Sequence, residues 1–241
     1  MKCSHIFAIA LSSLLLATTA CSGVRSISPK ETVAVPDLAL GQAEEVWDML
    51  DSLGYDGLTE EQRRMVDLME YDEVFMHFYS SACSWYCGGM IDTVTATSAK
   101  AADSTTYIGA NAHDWDIFSA WLTAEDNNGV GAMLTYTFPA RCPRITTVLI
   151  HNGYLRTADD WLDYSRVKQL RVYYDGKRYA DLLLDDTRDL QEFDVGVLGF
   201  IHDEERTAPW TLCFEIMEVY PGRKYTNAAI TELYFEGIDV H

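Results

Sequence analysis

The sequence predicts a mainly β protein, an antiparallel β-sandwich of jelly-roll type preceded by a short helical hairpin. Two observations predict this fold class. Short segments rich in β-branched and aromatic residues recur between residues 130 and 235, and turn-forming dipeptides such as Asp175-Gly176 and Pro221-Gly222 separate them. No helical pattern of about twelve residues intervenes, which excludes βαβ units. With 241 residues, 48% of them hydrophobic, the chain is large enough to bury such a core.

Residues 1–20 have the features of a bacterial lipoprotein signal. Met1-Lys2 gives a positive start, Ile6–Leu16 is apolar but too short to span a bilayer, and Ala17–Ala20 are small. Cys21 follows directly, so we expect its thiol to be acylated and to become the new N-terminus. The expected location is therefore outside the cytoplasm, on a membrane facing the periplasm or the cell surface, with lipid as the only membrane contact. The alternative is an ordinary cleaved secretory signal with an incidental Cys.

Residues 21–40 mix Ser, Gly, Pro, Thr and Val without a helical or strand period, which predicts a tether. A helical hairpin is predicted over residues 41–80. Its first helix shows apolar residues at helical spacing, at Val46, Met49, Leu50 and Leu53. The segment Thr59-Glu60-Glu61-Gln62 is a capping box that should begin the second helix. Two helices this short bury too little surface to fold alone, so we expect them to lie against a larger domain.

That larger domain is predicted over residues 82–241. Its strand candidates are 130–138, 145–150, 169–174, 179–184, 193–197, 211–219 and 229–235. Alternation is clearest at Leu212, Phe214 and Ile216, which should face the core. Asp175-Gly176 between two candidate strands predicts a β-hairpin.

Charge and motifs limit the possible functions. The chain has 37 acidic and 18 basic residues, a net charge of -19, so nucleic acid is not an expected partner. No HExxH, GxSxG or Gly-rich phosphate loop is present, and we expect no enzymatic activity. His113-Asp114 resembles a phosphohydrolase dyad, but its loop-rich β context favours a structural role. A glycan-acting hydrolase with two paired carboxylates is kept as an alternative, because sequence cannot give their separation.

Acidic loops and cysteines raise two further expectations. Asp114 and Asp116 are candidate ligands for a structural Ca²⁺, although such residues are also common in turns. No other cofactor is expected. Four cysteines remain in the exported chain, Cys83, Cys87, Cys142 and Cys213. Export permits disulfides, so we expect at least one among them, with three pairings possible.

Aromatic residues in predicted loops indicate a carbohydrate site. Exposed rings stack on sugars through their apolar faces, while nearby polar groups bind the hydroxyls. The candidate ligand-binding residues are Trp115, Tyr154, Arg156, Trp161 and Tyr164. Trp161 has an alternative role as a lid that packs inward. Trp121 lies between Ala120 and Leu122 in a strand-like segment, and we expect it in the core.

Several motifs, in order, resemble one known family. They are Trp85–Gly89, His113-Asp114, Ala120-Trp121, Gly129–Gly131, Ile145–Thr147, Asn152–Tyr154, Trp161, Ser165–Lys168, Val219–Gly222, Lys224-Tyr225 and Ile230. Together, across residues 82–241, they resemble the discoidin-like, NADase-type glycan-binding (translocation) domain of secreted bacterial proteins. The resemblance implies a jelly-roll sandwich that binds carbohydrate through loops at one end, without the separate NAD-cleaving domain. Ala132 and Tyr164 stand where the family usually has Glu and Asn.

The sequence therefore predicts a non-catalytic exported lipoprotein that binds a glycan or another cell-surface ligand. The two alternatives are the hydrolase and a structural or assembly lipoprotein without a small ligand. We also expect Arg166, just before a strand, to lie against the sandwich and to donate to backbone carbonyls or a carboxylate.

Overall fold

The computed structural model describes residues 24–34, 43–60, 62–63, 66, 85–101, 106–124 and 127–240. Cys21 and Cys83, two residues with predicted roles, lie outside these ranges. In the described part, no helix has the length and apolar character needed to cross a membrane.

The fold is mainly β, as the sequence predicts. The strands are β1 Arg25–Ile27, β2 Glu31–Val33, β3 Thr93–Ala96, β4 Trp121–Leu122, β5 Met133–Phe138, β6 Ile145–Asn152, β7 Ser165–Tyr174, β8 Lys177–Leu183, β9 Leu190–Leu198, β10 Trp210–Tyr220 and β11 Ala228–Gly237. The helices are α1 Ala43–Leu53 and α2 Ala158–Asp163. Strands β5 to β11 correspond one to one to the predicted segments, and each differs from its prediction mainly at its ends.

The strands form two arrays that face each other. One array has the order β2-β9-β6-β11, with β4 beside β11, and the other has the order β1-β8-β7-β10-β5-β3. Most neighbours are antiparallel, and two parallel pairings between β11 and β7, at Ala228–Ser165 and Ala229–Arg166, connect the arrays at one corner. This short connection lets the two arrays stack as the layers of a sandwich.

The core lies between the two arrays and draws side chains from both. Leu212, Phe214 and Ile216 of β10 are fully buried, as their alternation predicts. Trp121 is also fully buried, and its indole N–H donates to the Ser98 carbonyl at 2.7 Å. Burial of one aromatic or branched aliphatic side chain contributes about 1.5–3 kcal/mol, so this layer stabilises the fold.

Two short sequence motifs, the Asp175-Gly176 turn and the capping box at Thr59, have their predicted structures. Asp175 and Gly176 both have positive φ, 48° and 76°, the backbone geometry of a two-residue turn that joins β7 to β8. At Thr59, where the second helix of the predicted hairpin should begin, the Gln62 backbone N–H donates to Thr59 Oγ1 and the Thr59 N–H donates to Gln62 Oε1. These reciprocal bonds are the predicted capping box. Leu58 and Val66 pack with Met49 and Leu50 of α1.

The predicted tether over residues 21–40 requires correction, because part of it is strand. β1 pairs in parallel with β8, and β2 pairs in antiparallel fashion with β9. Each strand has three residues, of which two are exposed, so neither shows the alternation of a half-buried strand. Backbone pairing with an existing sheet edge forms them, and such pairing leaves little trace in a sequence.

Arg166 lies against the sandwich, as predicted. Its Nη1 donates to the carbonyls of Tyr164 and Pro221, and its Nε and Nη2 donate to the Asp186 carboxylate.

Three of the four candidate disulfide cysteines are described, and all three are free thiols, Cys87, Cys142 and Cys213. The pairings among these three are therefore absent. The Cys142 thiol donates instead to the Met90 carbonyl at 3.4 Å, and the Cys213 sulfur accepts from the Thr135 hydroxyl at 3.4 Å.

Candidate ligand site at one end of the sandwich

Four tyrosines and a lysine meet at the end of the sandwich where β6 ends and β7 and β11 begin. This tyrosine cluster consists of Tyr107, Tyr154, Tyr164, Tyr225 and Lys100. The residues come from three connections: the segment before β4, the connection between β6 and β7, and the loop between β10 and β11. Loops at one end of a sandwich are a common place for a binding site.

The rings form a continuous series of aromatic contacts. Tyr225 stacks on Tyr164 with ring centroids 4.5 Å apart and an interplanar angle of 29°. Tyr154 contacts Tyr164 edge to face at 5.5 Å, and Tyr107 contacts Tyr154 in the same way at 6.3 Å. The series rests on a small apolar layer of Ala120, Leu122 and Ala229. Such pairs contribute about 0.5–1.5 kcal/mol each beyond area burial, so they hold the rings in fixed orientations.

Lys100 places a positive charge among these rings. Its Nζ lies 4.9 Å from the Tyr164 ring centroid, 5.2 Å from that of Tyr225 and 5.5 Å from that of Tyr107. The ammonium also donates to the Tyr164 hydroxyl at 3.1 Å. The backbone positions it, because the Lys100 N–H donates to the Leu122 carbonyl of β4 at 2.8 Å. The cluster therefore presents hydrogen-bond donors beside aromatic faces.

Asp163 positions the loop that carries Tyr225. The amides of Lys224 and Tyr225 both donate to the Asp163 carbonyl, at 3.1 and 2.9 Å. The Asp163 carboxylate accepts from Lys224 Nζ at 2.6 Å and from Arg223 Nε at 2.9 Å. The hydrogen bond from Lys224 has the largest effect on the pKa of Asp163, and together with Arg223 it holds that pKa below its ordinary value. Gly222 allows the approach, since an added Cβ would lie 2.3 Å from the Asp163 carbonyl oxygen.

Tyr225 is the most open ring of the cluster. It is 42% exposed, whereas Tyr154 and Tyr164 are 2% and 7% exposed. Arg156 is exposed beside Tyr154 and forms a hydrogen bond to its side chain. Burial raises the pKa of Tyr154, and the Arg156 contact partly offsets that rise. At neutral pH the phenol is therefore a neutral hydroxyl next to a permanent cation.

The expectation of exposed rings at Tyr154, Trp161 and Tyr164 is wrong. Trp161 packs inward with Leu155 and Ile117, its indole N–H donates to the Asn152 carbonyl at 2.9 Å, and the Arg166 guanidinium lies 4.7 Å from its ring centroid. The α2 helix explains this orientation. Thr157 caps it by accepting from the Asp160 N–H, and the first helical turn directs Trp161 toward the core. Trp161 therefore has the alternative role, that of a lid that packs inward.

Trp115 lies on the outer side of β11. Its ring stacks on Tyr234 at 4.3 Å and meets Tyr86 edge to face at 4.9 Å. Its φ of 66° is unusual for a bulky residue and places it at the tight turn of 113–119. His113 in this turn has a structural contact, with Nδ1 2.8 Å from the Leu233 carbonyl.

Asp114 and Asp116, the predicted calcium ligands, form hydrogen bonds within the same turn. Asp114 Oδ2 accepts from the Ser119 hydroxyl at 2.7 Å, and Asp116 Oδ1 accepts from the Phe118 N–H at 2.9 Å. Across the described ranges, no group of three or more His, Cys, Asp or Glu side chains is arranged to hold a metal ion. Calcium binding through Asp114 and Asp116 stays a prediction.

Near this turn, Glu232 is the carboxyl group whose pKa is shifted most. It is fully buried, its Oε1 accepts from the Asp116 N–H at 2.9 Å, and burial, together with the neighbouring Asp114, raises its pKa to about 10. A raised carboxyl pKa is also a feature of general acids. Here the group is fully buried and accepts a backbone hydrogen bond from the Asp114–Asp116 turn.

Sequence reasoning missed Lys100 and Tyr225 as site residues. Tyr107, the fifth member of the cluster, was missed as well. Lys100 and Tyr225 lie 125 positions apart in the sequence and meet only in the fold. The available signal was the Pro221-Gly222 turn followed by Lys224-Tyr225, which places an aromatic residue in a loop between two strands.

The solved structures to which this chain is similar share little sequence with it. The CBM32-1 and CBM32-2 domains of Clostridium perfringens ZmpB, in complex with GalNAc, are 14% identical with a TM-score of 0.45, and the match covers 67% of this chain and 38% of that chain. The family 32 CBM of C. perfringens NanJ, in complex with galactose, is 13% identical with a TM-score of 0.39, covering 59% and 91%. The arabinofuranosyltransferase AftD from mycobacteria is 20% identical with a TM-score of 0.41, covering 64% and 11%.

Sequence comparison is more decisive for family membership. No curated protein matches the chain. Residues 85–236 match the family described as NAD glycohydrolase translocation F5/8 type C domain. This match spans more than half of the chain and includes β3 to β11 and the tyrosine cluster. The chain belongs to the NAD glycohydrolase translocation F5/8 type C domain family.

Proposed function

We propose that this chain is an exported, lipid-anchored, non-catalytic protein that binds carbohydrate through the tyrosine cluster. The observation that carries the proposal is the exposed ring of Tyr225, held in place beside the donor Lys100, with Arg156 exposed next to Tyr154 of the same cluster. A sugar ring has apolar C–H faces that stack on an aromatic ring and hydroxyls that need polar partners. The cluster offers both kinds of contact within one surface.

The rigidity of the cluster also supports binding. Tyr225 is stacked on Tyr164, and its loop is fixed by two hydrogen bonds from backbone amides to the Asp163 carbonyl. A ring that is already ordered loses little conformational entropy when a ligand stacks on it. The lipid-anchor part of the proposal has its support in the sequence, where small residues precede Cys21.

The experiment starts from a glycan array probed with the mature protein. The best glycan is then titrated against wild type and three variants: Tyr225→Ala, Tyr225→Phe and Tyr55→Ala. Tyr55 is a matched control, because it is 44% exposed but lies after α1, outside the sandwich. By analogy with aromatic stacking on nucleic-acid bases, we expect Tyr225→Ala to weaken binding by about 1–3 kcal/mol. Tyr225→Phe and Tyr55→Ala should bind nearly as well as wild type.

Three results would contradict the proposal. An array without a single reproducible glycan would exclude carbohydrate as the ligand class. Equal affinity of folded Tyr225→Ala and wild type would exclude the tyrosine cluster as the site. Cleavage of the bound glycan on prolonged incubation would favour the hydrolase alternative.

A further inference from the structure

Residues 24–34 form a strap across one side of the sandwich. Its first strand, β1, adds to β8 at the edge of one array, and its second strand, β2, adds to β9 at the edge of the other. Between them the Lys30 N–H donates to the Glu192 carbonyl at 2.7 Å. Arg25 is fixed as well: its Nη2 donates to the Asp194 carbonyl at 3.1 Å and its guanidinium lies over the Tyr179 ring. The strap is therefore part of the fold.

The strand register shows at which end the strap begins. Arg25 pairs with Ala180 of β8, which pairs with Val172 of β7. Strand β7 begins at Ser165, beside the tyrosine cluster, and ends at the Asp175-Gly176 turn. Arg25 thus lies seven residues along β7 from the cluster end, about 23 Å at about 3.3 Å per residue. It is near the opposite end, which the Asp175-Gly176 turn forms.

Covalent geometry then limits where a lipid on Cys21 can be. Arg25 is four positions after Cys21, and an extended chain spans at most about 3.6 Å per residue, so the limit is about 14 Å. This is shorter than the distance of about 23 Å between Arg25 and the cluster end along the strands. In addition, β1 runs parallel to β8, so toward its N-terminus the chain leaves the sandwich in the direction of the Asp175-Gly176 turn.

We propose that the strap orients the domain on the membrane, with the Asp175-Gly176 end near the bilayer and the tyrosine cluster directed away from it. The proposal rests on the lipid anchor of the proposed function and adds to it an orientation. A 20-residue tether would let the domain rotate freely, whereas a link of three residues to a fixed strand would not. The site would thus face ligands in solution or on an opposing surface, and not the headgroups of its own membrane.

Energy transfer to the membrane tests this orientation. The full-length lipidated protein is reconstituted in vesicles that contain an acceptor-labelled lipid. A fluorescent amino acid is incorporated either at Lys177, next to the Asp175-Gly176 turn, or at Thr226, next to Tyr225; both positions are exposed. We expect a higher transfer efficiency from position 177 than from position 226. Equal efficiencies, or a higher efficiency from position 226, would overturn the orientation.

Two further variants test separately whether the strap sets the orientation and whether the lipid holds the protein on the membrane. A ten-residue Gly-Ser insertion between Gly23 and Val24 should abolish the difference between the two labels while the protein stays on the vesicles. A difference that survives this insertion would show that the strap does not set the orientation. Cys21→Ala should lose vesicle binding and all transfer. Transfer that is unchanged in Cys21→Ala would overturn the lipid anchor itself, and with it both proposals.

Discussion

Arg166 and Asp186 form a two-point ion pair, with Nε 2.9 Å from Oδ1 and Nη2 3.0 Å from Oδ2. The same guanidinium donates to the carbonyls of Tyr164 and Pro221 and covers the Trp161 ring. Arg166 thereby connects the beginning of β7 to the two connections that carry Tyr164 and Tyr225. The pair joins the core to the candidate site.

Arg166→Ala should reduce the free energy of unfolding by about 2–3 kcal/mol, because it removes charged hydrogen bonds and leaves two carbonyls without this donor. The measurement is chemical denaturation followed by fluorescence. Lys168→Ala is the control, since Lys168 pairs with Glu218 on the surface and such pairs contribute about 0–1 kcal/mol. An Arg166→Ala midpoint equal to that of the control would contradict this role.

Trp161→Ala should destabilise the domain by about 3–5 kcal/mol, the usual cost of removing a large buried aromatic side chain. The structural reason is its packing with Leu155 and Ile117 and its bond to the Asn152 carbonyl. Thermal unfolding of the variant is compared with that of Leu162→Ala, a neighbour on α2 that is 37% exposed. If Trp161→Ala and Leu162→Ala unfold at the same temperature, the ring is not part of the core.

Gly222→Ala should weaken glycan binding more than Gly88→Ala does. An added Cβ at position 222 meets backbone atoms of Asp163 and Tyr164 at 2.3–2.8 Å, so the loop must move and carry Tyr225 with it. At Gly88 the nearest atoms are at 3.5 Å or more, which is ordinary contact. Titration of one glycan against both variants makes the comparison, and equal affinities would show that the loop position does not matter.

Stability should depend on pH through His151. It is 1% exposed, and burial lowers its pKa from 6.5 to about 4, with Asp189 acting in the opposite direction. Between about pH 6.5 and 4 the unfolded chain binds a proton at this position and the folded chain does not. Acidification through this window therefore removes stability, by about 3 kcal/mol at most.

The test compares wild type with His151→Gln by urea unfolding at several pH values. The difference between the two proteins isolates His151 from Glu232, its cross-strand neighbour, whose raised pKa changes stability in the opposite direction over this range. We expect wild type to lose stability relative to the variant as the pH falls from about 6.5 to 4. A difference that stays constant with pH would show that His151 does not titrate differently in the two states.

The sequence allowed prediction of the central strands because their signals are local. Leu212, Phe214 and Ile216 alternate with polar neighbours along β10, and Asp175-Gly176 is sufficient to specify a tight turn. The two edge strands of the strap were missed because three-residue strands with exposed side chains carry no periodic signal. Their formation depends on β8 and β9, which lie more than a hundred residues later.

The candidate site was only partly predictable for a related reason. Tyr154, Arg156 and Tyr164 were found because they share one short connection, rich in aromatic and charged residues. Lys100 and Tyr225 join them only through long-range packing. Burial is equally non-local: whether Trp161 faces solvent depends on the orientation of α2, which the Thr157 cap and the Arg166 contact determine together.

The strap also affects how the chain folds. Arg25 contacts Asp194, 169 positions later, so the strap can take its place only after β9 is available for pairing. Until it does, the edges of β8 and β9 expose unpaired backbone groups that can pair with another molecule. Docking of the strap covers both edges, because β1 pairs with β8 and β2 pairs with β9. The strap would then also protect the chain against edge-to-edge aggregation.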